Sequence, residues 1–430
     1  MIYHLFDYLQ RSGVDFPGVG LLNYLTVRAM LASVTAILVA LIFGKKFIAF
    51  LQRKQVHDEE RSYDKGLAGQ ELKNRTPSMG GVIIIISILA GVLLFCDLTN
   101  IYLLLMLLAL LWCGALGFAD DYIKAFKHNK DGVSEKTKLV AQGALGLIVG
   151  LAVWASDDIV IREKVYTPEA TVVAADQSAP AAEEVTSISF KEARTTIPLV
   201  KNHEFDYQWL FPFEGPFARY VKWILYVLMI ILVVTACSNG VNLTDGIDGL
   251  AAGTSAIVGI VLGVLAWLSG NVVNSEYLNI MYLPGTGEMA IFMAALVGAL
   301  LGFLWYNSYP ATIFMGDTGS LALGGIIGVG AVLLRKELLL PVLCGIFFME
   351  SLSVILQRIY FKRYKRRHGT EGRIWSRTPL HHHFQDNKIP DGHIKYPKPQ
   401  PPHHEAKITA RFWIVGILLA VGTLALLKIR

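Results

Sequence analysis

The stretch Ile101-Tyr-Leu-Leu-Leu-Met-Leu-Leu-Ala-Leu-Leu-Trp-Cys-Gly-Ala-Leu-Gly-Phe-Ala119-Asp120-Asp121 decides the fold. No charge interrupts it before Asp120, and its apolar part approaches the roughly 20 residues an α-helix needs to cross a bilayer. The two carboxylates then fall at the partially negative end of the helix dipole, where negative charge is disfavoured. Either nearby lysines such as Lys124 and Lys138 or a bound cation must offset them; a solvated helix-end pair is the other reading.

The rest of the chain follows the same pattern. Of its 430 residues 53% are hydrophobic and 17% charged, with a mean hydropathy of +0.47. A soluble domain carries about a quarter charged residues. Ten apolar stretches are candidate spans: 22–51, 80–95, 101–119, 139–154, 223–236, 250–268, 289–306, 319–334, 338–360 and 408–427. The expected fold class is an all-α polytopic membrane protein of about ten transmembrane helices, the eighth and ninth separated at Arg335-Lys336-Glu337. The net charge of +5 does not point to nucleic acid, because the basic residues form short runs between apolar stretches rather than an aromatic-interleaved surface.

Cytoplasmic loops collect Lys and Arg. One alternating set holds Arg53, Lys54, Arg61, Lys65, Lys73 and Arg75, then Lys124, Lys127, Lys130, Lys136 and Lys138, then a dense block from Arg358 through Arg377 to Arg411. The other set is poorer, so ten helices put both termini outside the cytoplasm. Residues 155–220 contain a polar Ala/Glu/Pro stretch and β-prone runs such as 186–190, and read as a small external insertion, β-rich or partly disordered. The expected organisation is helices 1–4 in residues 1–154, the insertion at 155–220, and helices 5–10 in 221–430. Cys96, Cys113, Cys237 and Cys344 lie in or beside apolar stretches without CxxC spacing, as buried small hydrophobes. Residues 1–20 lack the basic start, apolar core and cleavage site of a secretory leader.

On this topology every polar motif falls at the cytoplasmic face. Asn239-Gly-Val-Asn242-Leu-Thr-Asp245-Gly-Ile-Asp248-Gly-Leu follows the fifth candidate span. Its glycines allow backbone amides to point at an anion, and its Asn and Asp side chains suit ribose hydroxyls, a base edge or a lysine. The spacing and closing Glu of a calcium loop are missing. Asp317, in Phe314-Met-Gly-Asp317-Thr-Gly, sits near the start of the eighth span, as a helix cap or a metal ligand. Arg377-Thr-Pro-Leu-His381-His382-His383-Phe carries adjacent histidines that cannot all face one zinc, because consecutive side chains diverge; phosphate contact, proton transfer or a solvated loop remain. Lys73-Asn-Arg75-Thr76-Pro-Ser-Met-Gly-Gly opens the second span with groups useful to a phosphate, or simply with proline in the first turn. Glu350, a carboxylate at membrane depth, is functional by default or a paired structural acid, and stands outside the core site.

Taken in chain order from Thr76-Pro-Ser-Met-Gly-Gly to Pro379-Leu-His-His-His-Phe, these motifs resemble those of the polyprenyl-phosphate N-acetylhexosamine-1-phosphate transferases. Within that superfamily they look like the phospho-N-acetylmuramoyl-pentapeptide-transferase (MraY) family, and Pro-Leu-His-His-His-Phe separates this branch from GlcNAc-1-phosphate transferases. The resemblance implies a cytoplasmic-face active-site cleft in a bacterial inner membrane, UDP-MurNAc-pentapeptide as donor, undecaprenyl phosphate as acceptor, Mg2+ as cofactor, lipid I and UMP as products, and a homodimer. By motif position it implies Asp317 as the Mg2+ ligand, Asp120 nearest the acceptor phosphate, and Asp121 and His381 among the catalytic groups. Lys73, Thr76, Lys138, Asn242, Asp245, Asp248, Asn307, Phe314, Gln357, His382 and His383 are the implied substrate-binding residues. Three departures stand out: Arg75 before Thr-Pro, Gln385 where an acid commonly follows the histidines, and a longer stretch from Gln357 to His381. An ion-coupled transporter is the different-class rival, but it calls for acids at the midplane of broken helices rather than at one face.

Overall fold

The fold was analysed in a computed structural model, which describes residues 1–13, 18–54, 76–127, 129, 131–166, 185–198, 200, 204–211, 213, 215–385, 392–397 and 401–427. Among them, eight helices are long and apolar enough to span a membrane. They are α2 (Leu25–Arg53), α4 (Ile101–Phe126), α5 (Glu135–Ala155), α6 (Pro216–Thr244), α7 (Leu250–Ser269), α9 (Gly287–Asn307), α10 (Gly316–Leu333) and α14 (Glu405–Leu426). A ninth span is broken: Glu337–Leu343, which includes α11 (Leu340–Leu343), meets α12 (Gly345–His368) at 79°. The expected second span is α3 (Gly81–Phe95), apolar but only 15 residues long. The chain is thus a multi-pass helical membrane protein in which each of the ten expected stretches is helical. The helices α1 (Ile2–Arg11), α8 (Val272–Leu278) and α13 (Leu380–Gln385) are shorter.

Local signals set several helix ends. The Asn100 side chain accepts from the Leu103 amide at 3.2 Å to start α4, and Ser134 does the same for Thr137 at α5. Two ends differ from the sequence expectation. Helix α4 runs on past Ala119 to Phe126, so Asp120 and Asp121 lie inside it, and α6 runs through Asn242 to Thr244 rather than ending before Asn239. Gly240 is therefore a helical glycine against Phe347 and not part of an anion-binding loop; a Cβ there would stand 3.2 Å from that of Phe347. In both cases polar side chains inside a helix find partners on neighbouring elements, so hydropathy does not mark the stop.

Helix α10 is central, with every residue from Thr318 to Leu333 buried. It packs on α4 and α6, while α9 packs on α2 and α7. Small residues permit this closeness, as is usual between helices in lipid. A Cβ on Gly81 would lie 2.1 Å from the Gly319 amide nitrogen, and one on Gly117 2.1 Å from the Asp317 carbonyl oxygen.

At the end of the bundle away from the acidic cluster, the segment after α5 forms two antiparallel pairs. Strand β1 (Ile161–Tyr166) pairs with β2 (Val185–Phe190), Ile161 facing Phe190, and β3 (Arg194–Thr196) pairs with β4 (Glu204–Asp206). The expected break between the eighth and ninth spans falls at Arg335-Lys336-Glu337, and these residues are only 1–2% exposed. Strand β3 covers them: the Thr196 amide donates to the Arg335 carbonyl (2.8 Å), Lys336 Nζ to Thr196 Oγ1 (2.6 Å), and Tyr207 to Glu337 (3.2 Å). A parallel pair, β5 (Gly372–Trp375) and β6 (His393–Tyr396), follows α12.

Candidate active site

The acidic centre forms where the last turns of α4 meet the first turn of α10. Gly316 adopts a positive φ of 72° to start that turn, and the amides behind it have no intrahelical acceptors. Asp121 supplies them: Oδ1 accepts from the Asp317 amide at 3.0 Å, and Oδ2 from the Thr318 amide at 2.9 Å and from the Thr318 hydroxyl. Asp121 thus caps a helix distant in sequence, while Asp120 turns to the other side. There it accepts from the Val133 amide at 2.7 Å and pairs with Lys124 and Lys138 at 3.0 Å each. Asp317 is also reached by Lys138 at 2.6 Å, and by Lys124 at 3.8 Å.

One oxygen from each of Asp120, Asp121 and Asp317 lies within 4.8 Å of the others. Three carboxylates against two ammonium groups leave one negative charge, and the donors are all oxygens, a set suited to a hard divalent cation. Asp120 is fully buried, whereas the Asp317 side chain is 15% exposed and is the more open of the two.

A second wall comes from the loop between α9 and α10. Residues 76–81 lie along it: Phe314 donates to the Pro77 carbonyl (2.9 Å), Gly80 to Phe314 (2.8 Å), Gly81 to Met315 (2.8 Å), and the Thr76 hydroxyl to Ala311 (3.4 Å). Asn307 accepts from the Gly249 amide at 3.2 Å and donates to the Ile313 carbonyl at 2.9 Å. Asp248 accepts from the Ala311 amide at 3.0 Å, and its own amide meets Glu405 at 2.7 Å. Asn307 and Asp248 therefore tie the glycine loop after α6 to the loop before α10. Asp245 closes the turn from α6, its amide on the Asn242 carbonyl at 3.2 Å.

The histidines form a third wall. Glu350, fully buried on α12, accepts from the amides of Leu380 and His381 and lies 3.3 Å from His381 Nδ1. The other edge of that ring abuts Gly246, where a Cβ would fall 2.0 Å from Nε2. His383 Nδ1 accepts from the Ser376 amide at 3.3 Å, and burial lowers the pKa of this imidazole. His382 contacts Gln385 at 3.1 Å, which in turn donates to Glu405 at 3.2 Å. An acid from α14 thus stands behind Gln385. Gln357 binds the β5 backbone, accepting from Ile374 (3.0 Å) and Trp375 (3.2 Å), and lines a recess of about 380 Å³ with Arg358, Lys362 and Arg373. Lys73 lies outside the described residues.

Glu350 and Glu405 complete the walls although neither was among the expected site residues. Glu350 had one sequence signal, its depth in an apolar helix; Glu405 had none beyond its place at the start of the last helix.

The Glycosyl transferase family 4 model matches residues 190–335, a span that holds the glycine loop after α6, the Asn307 loop and Asp317. With the membrane bundle and its carboxylate cluster, this makes the chain a phosphoglycosyl transferase that works within a bilayer. Phospho-N-acetylmuramoyl-pentapeptide-transferase signature 1 matches residues 73–85. Curated proteins of that name are similar over the full length of both chains: 49% identical over 430 residues in Flavobacterium psychrophilum, 48% over 432 in Parabacteroides distasonis and 48% over 437 in Bacteroides thetaiotaomicron. The chain belongs to the phospho-N-acetylmuramoyl-pentapeptide-transferase family.

Proposed function

We propose that the chain transfers phospho-MurNAc-pentapeptide from UDP-MurNAc-pentapeptide to undecaprenyl phosphate, giving lipid I and UMP in peptidoglycan synthesis. The observation that carries this reading is the cluster of Asp120, Asp121 and Asp317 opposed by Lys124 and Lys138 at one end of a membrane bundle. The basic residues of the loops at that end support a cytoplasmic orientation in the bacterial inner membrane. Residues 155–220 then form an external insertion between two helical halves, and a homodimer belongs to the same reading.

Asp317, the more open carboxylate, is the residue to hold Mg2+, with Asp120 and Asp121 beside it; the metal, when bound, supplies charge neutralisation at the diphosphate. Lys138 and Lys124 exchange carboxylate for phosphate oxygens as substrates enter, so the chain contributes mainly positioning and electrostatics. Asp120 orients the acceptor phosphate or takes its proton. An acceptor oxygen attacks the phosphorus nearest the sugar, the bond to the uridylyl phosphate breaks, and UMP leaves. Lys73, Thr76, Asn242, Asp245, Asp248, Asn307, Phe314 and Gln357 are assigned to donor recognition, and His381, His382 and His383 to the polar wall of the cleft.

Purified protein in detergent tests this with both substrates and Mg2+. Lipid-dependent UMP release is expected, falling at least about 100-fold in Asp317→Ala and Asp120→Asn, as when a transition-state contact is lost. Turnover of UDP-GlcNAc in place of UDP-MurNAc-pentapeptide would move the chain to the GlcNAc-1-phosphate branch. Activity in Asp317→Ala equal to wild type would remove the carboxylate site.

A further inference from the structure

Glu405, the first residue of α14, is buried and uses both carboxylate oxygens to join two walls of the cleft. Oε1 accepts from the Asp248 amide at 2.7 Å, and the Asp248 carboxylate in turn accepts from the Ala311 amide at 3.0 Å in the loop before α10. Oε2 accepts from Gln385 Nε2 at 3.2 Å, and Gln385 Oε1 lies 3.1 Å from His382 Nδ1. The backbone ties the same two segments together, since the His403 amide donates to the Phe384 carbonyl at 3.0 Å. The His382 ring stands 4.2 Å from that of His381, whose far edge abuts Gly246.

Chemistry fixes the order of donors and acceptors along this relay. An ionised carboxylate only accepts, so Gln385 turns its NH2 towards Glu405 and its carbonyl towards His382. A carbonyl also only accepts, so Nδ1 of His382 carries a proton, and in a neutral imidazole the other nitrogen then holds the lone pair. We propose that Glu405 is a positioning residue that, through Gln385, holds His382 in its Nδ1–H form and makes Nε2 a hydrogen-bond acceptor. This rests on the transferase reading above and deepens it. A neutral His382 in that form recognises a hydroxyl or an amide N–H of the donor's sugar-peptide part, whereas a phosphate oxygen would call for Nε2–H.

Glu405→Gln tests this because it keeps each contact and reverses its sense. With the new carbonyl on the Asp248 amide, the new NH2 faces Gln385, whose amide turns over and donates to Nδ1, so the proton moves to Nε2. In full-length protein in detergent, kcat/KM for UDP-MurNAc-pentapeptide is expected to fall about tenfold, as for one lost hydrogen bond, at an unchanged unfolding temperature. Adding Gln385→Glu restores a carboxylate to the relay and the proton to Nδ1, and should return kcat/KM to within about threefold of wild type, the scatter of neutral substitutions. A merely structural Glu405 predicts wild-type kcat/KM in Glu405→Gln, since no hydrogen bond is lost; that result overturns the proposal, as does a folded double variant no better than the single one. Ring 15N NMR of histidine-labelled wild-type protein reads the proton directly, with His382 assigned by its absence in His382→Gln and the pH held well above the ordinary imidazole value of about 6.5. A protonated Nδ1 and a bare Nε2 are expected. The proton on Nε2 overturns the proposal however the variants fold. Wild-type protein that releases no UMP from this donor overturns the transferase reading instead, and the NMR result still decides the relay.

Discussion

Asp120 and Asp121 are neighbours in sequence but face different partners. Asp121 holds the start of α10, and Asp120 faces the lysines, so one dipeptide both builds the site and charges it. Glu350 stands in a similar relation to His381, fixing the backbone of residues 380–381 and the ring. Glu350→Gln keeps the size of the side chain but replaces one acceptor oxygen with a donor. UMP release should fall roughly 10- to 100-fold, the loss expected for one charge-assisted hydrogen bond, with donor KM changing far less. The same fall accompanied by a lower unfolding temperature would point to loss of folded protein instead, since a smaller active fraction also lowers apparent kcat at unchanged KM. His383 gives a pH effect of definite sign. Its pKa is lowered by burial, so the unfolded chain takes up the proton first. Its stabilisation is complete above the unfolded value of about 6.5 and is lost as pH falls through the folded value. Thermal unfolding in detergent should therefore weaken just below pH 6.5, and His383→Gln should flatten that decline. The motif carboxylates and histidines were legible because they stand out in apolar sequence. Their division of labour was not, since it depends on which distant amide each one faces.

The helices themselves were legible from apolar length, and each expected span is helical. Their ends were not, because α4 and α6 carry polar residues that neighbouring helices satisfy, so hydropathy falls before the helix stops. The contact between α4 and α10 is closer than any side chain permits. Gly117→Ala would force its new methyl against the Asp317 carbonyl, 2.1 Å away. Overpacking of this kind typically costs about 1–3 kcal/mol. The expected result is a lower unfolding temperature together with loss of UMP release, because the displaced residue carries the open carboxylate. Retained activity at a normal unfolding temperature would show that α10 can shift freely.

Across the whole bundle, buried charge occurs at both ends but with different partners. Away from the acidic centre, Arg28 of α2 meets Glu288 of α9 at 2.7 Å, and Glu288 also accepts from the Asp97 amide at 2.8 Å. Arg28→Ala leaves a buried carboxylate unpaired and should cost about 3–5 kcal/mol, whereas replacing both residues by Met should recover part of it. Calorimetry on the single and double variants measures the difference; equal losses would mean that the pair is not coupled. Charged residues marked the helix break at 335–337 in the sequence reading but not its burial, because the β3 segment folds back to cover them. Coverage by a remote segment leaves no trace in local composition.

The glycine contacts that set α3 and α4 against α10 also bear on how such a catalyst can diversify. Peptide groups are common to every sequence, so a spacing set by backbone against backbone is inherited without reference to the side chains around it. The loops that meet the donor can then drift, lengthen or be exchanged between relatives while the reactive geometry stays constant. Innovation in this architecture should accordingly accumulate at the rim, and a transplanted rim should change what is recognised without altering how the bond is made.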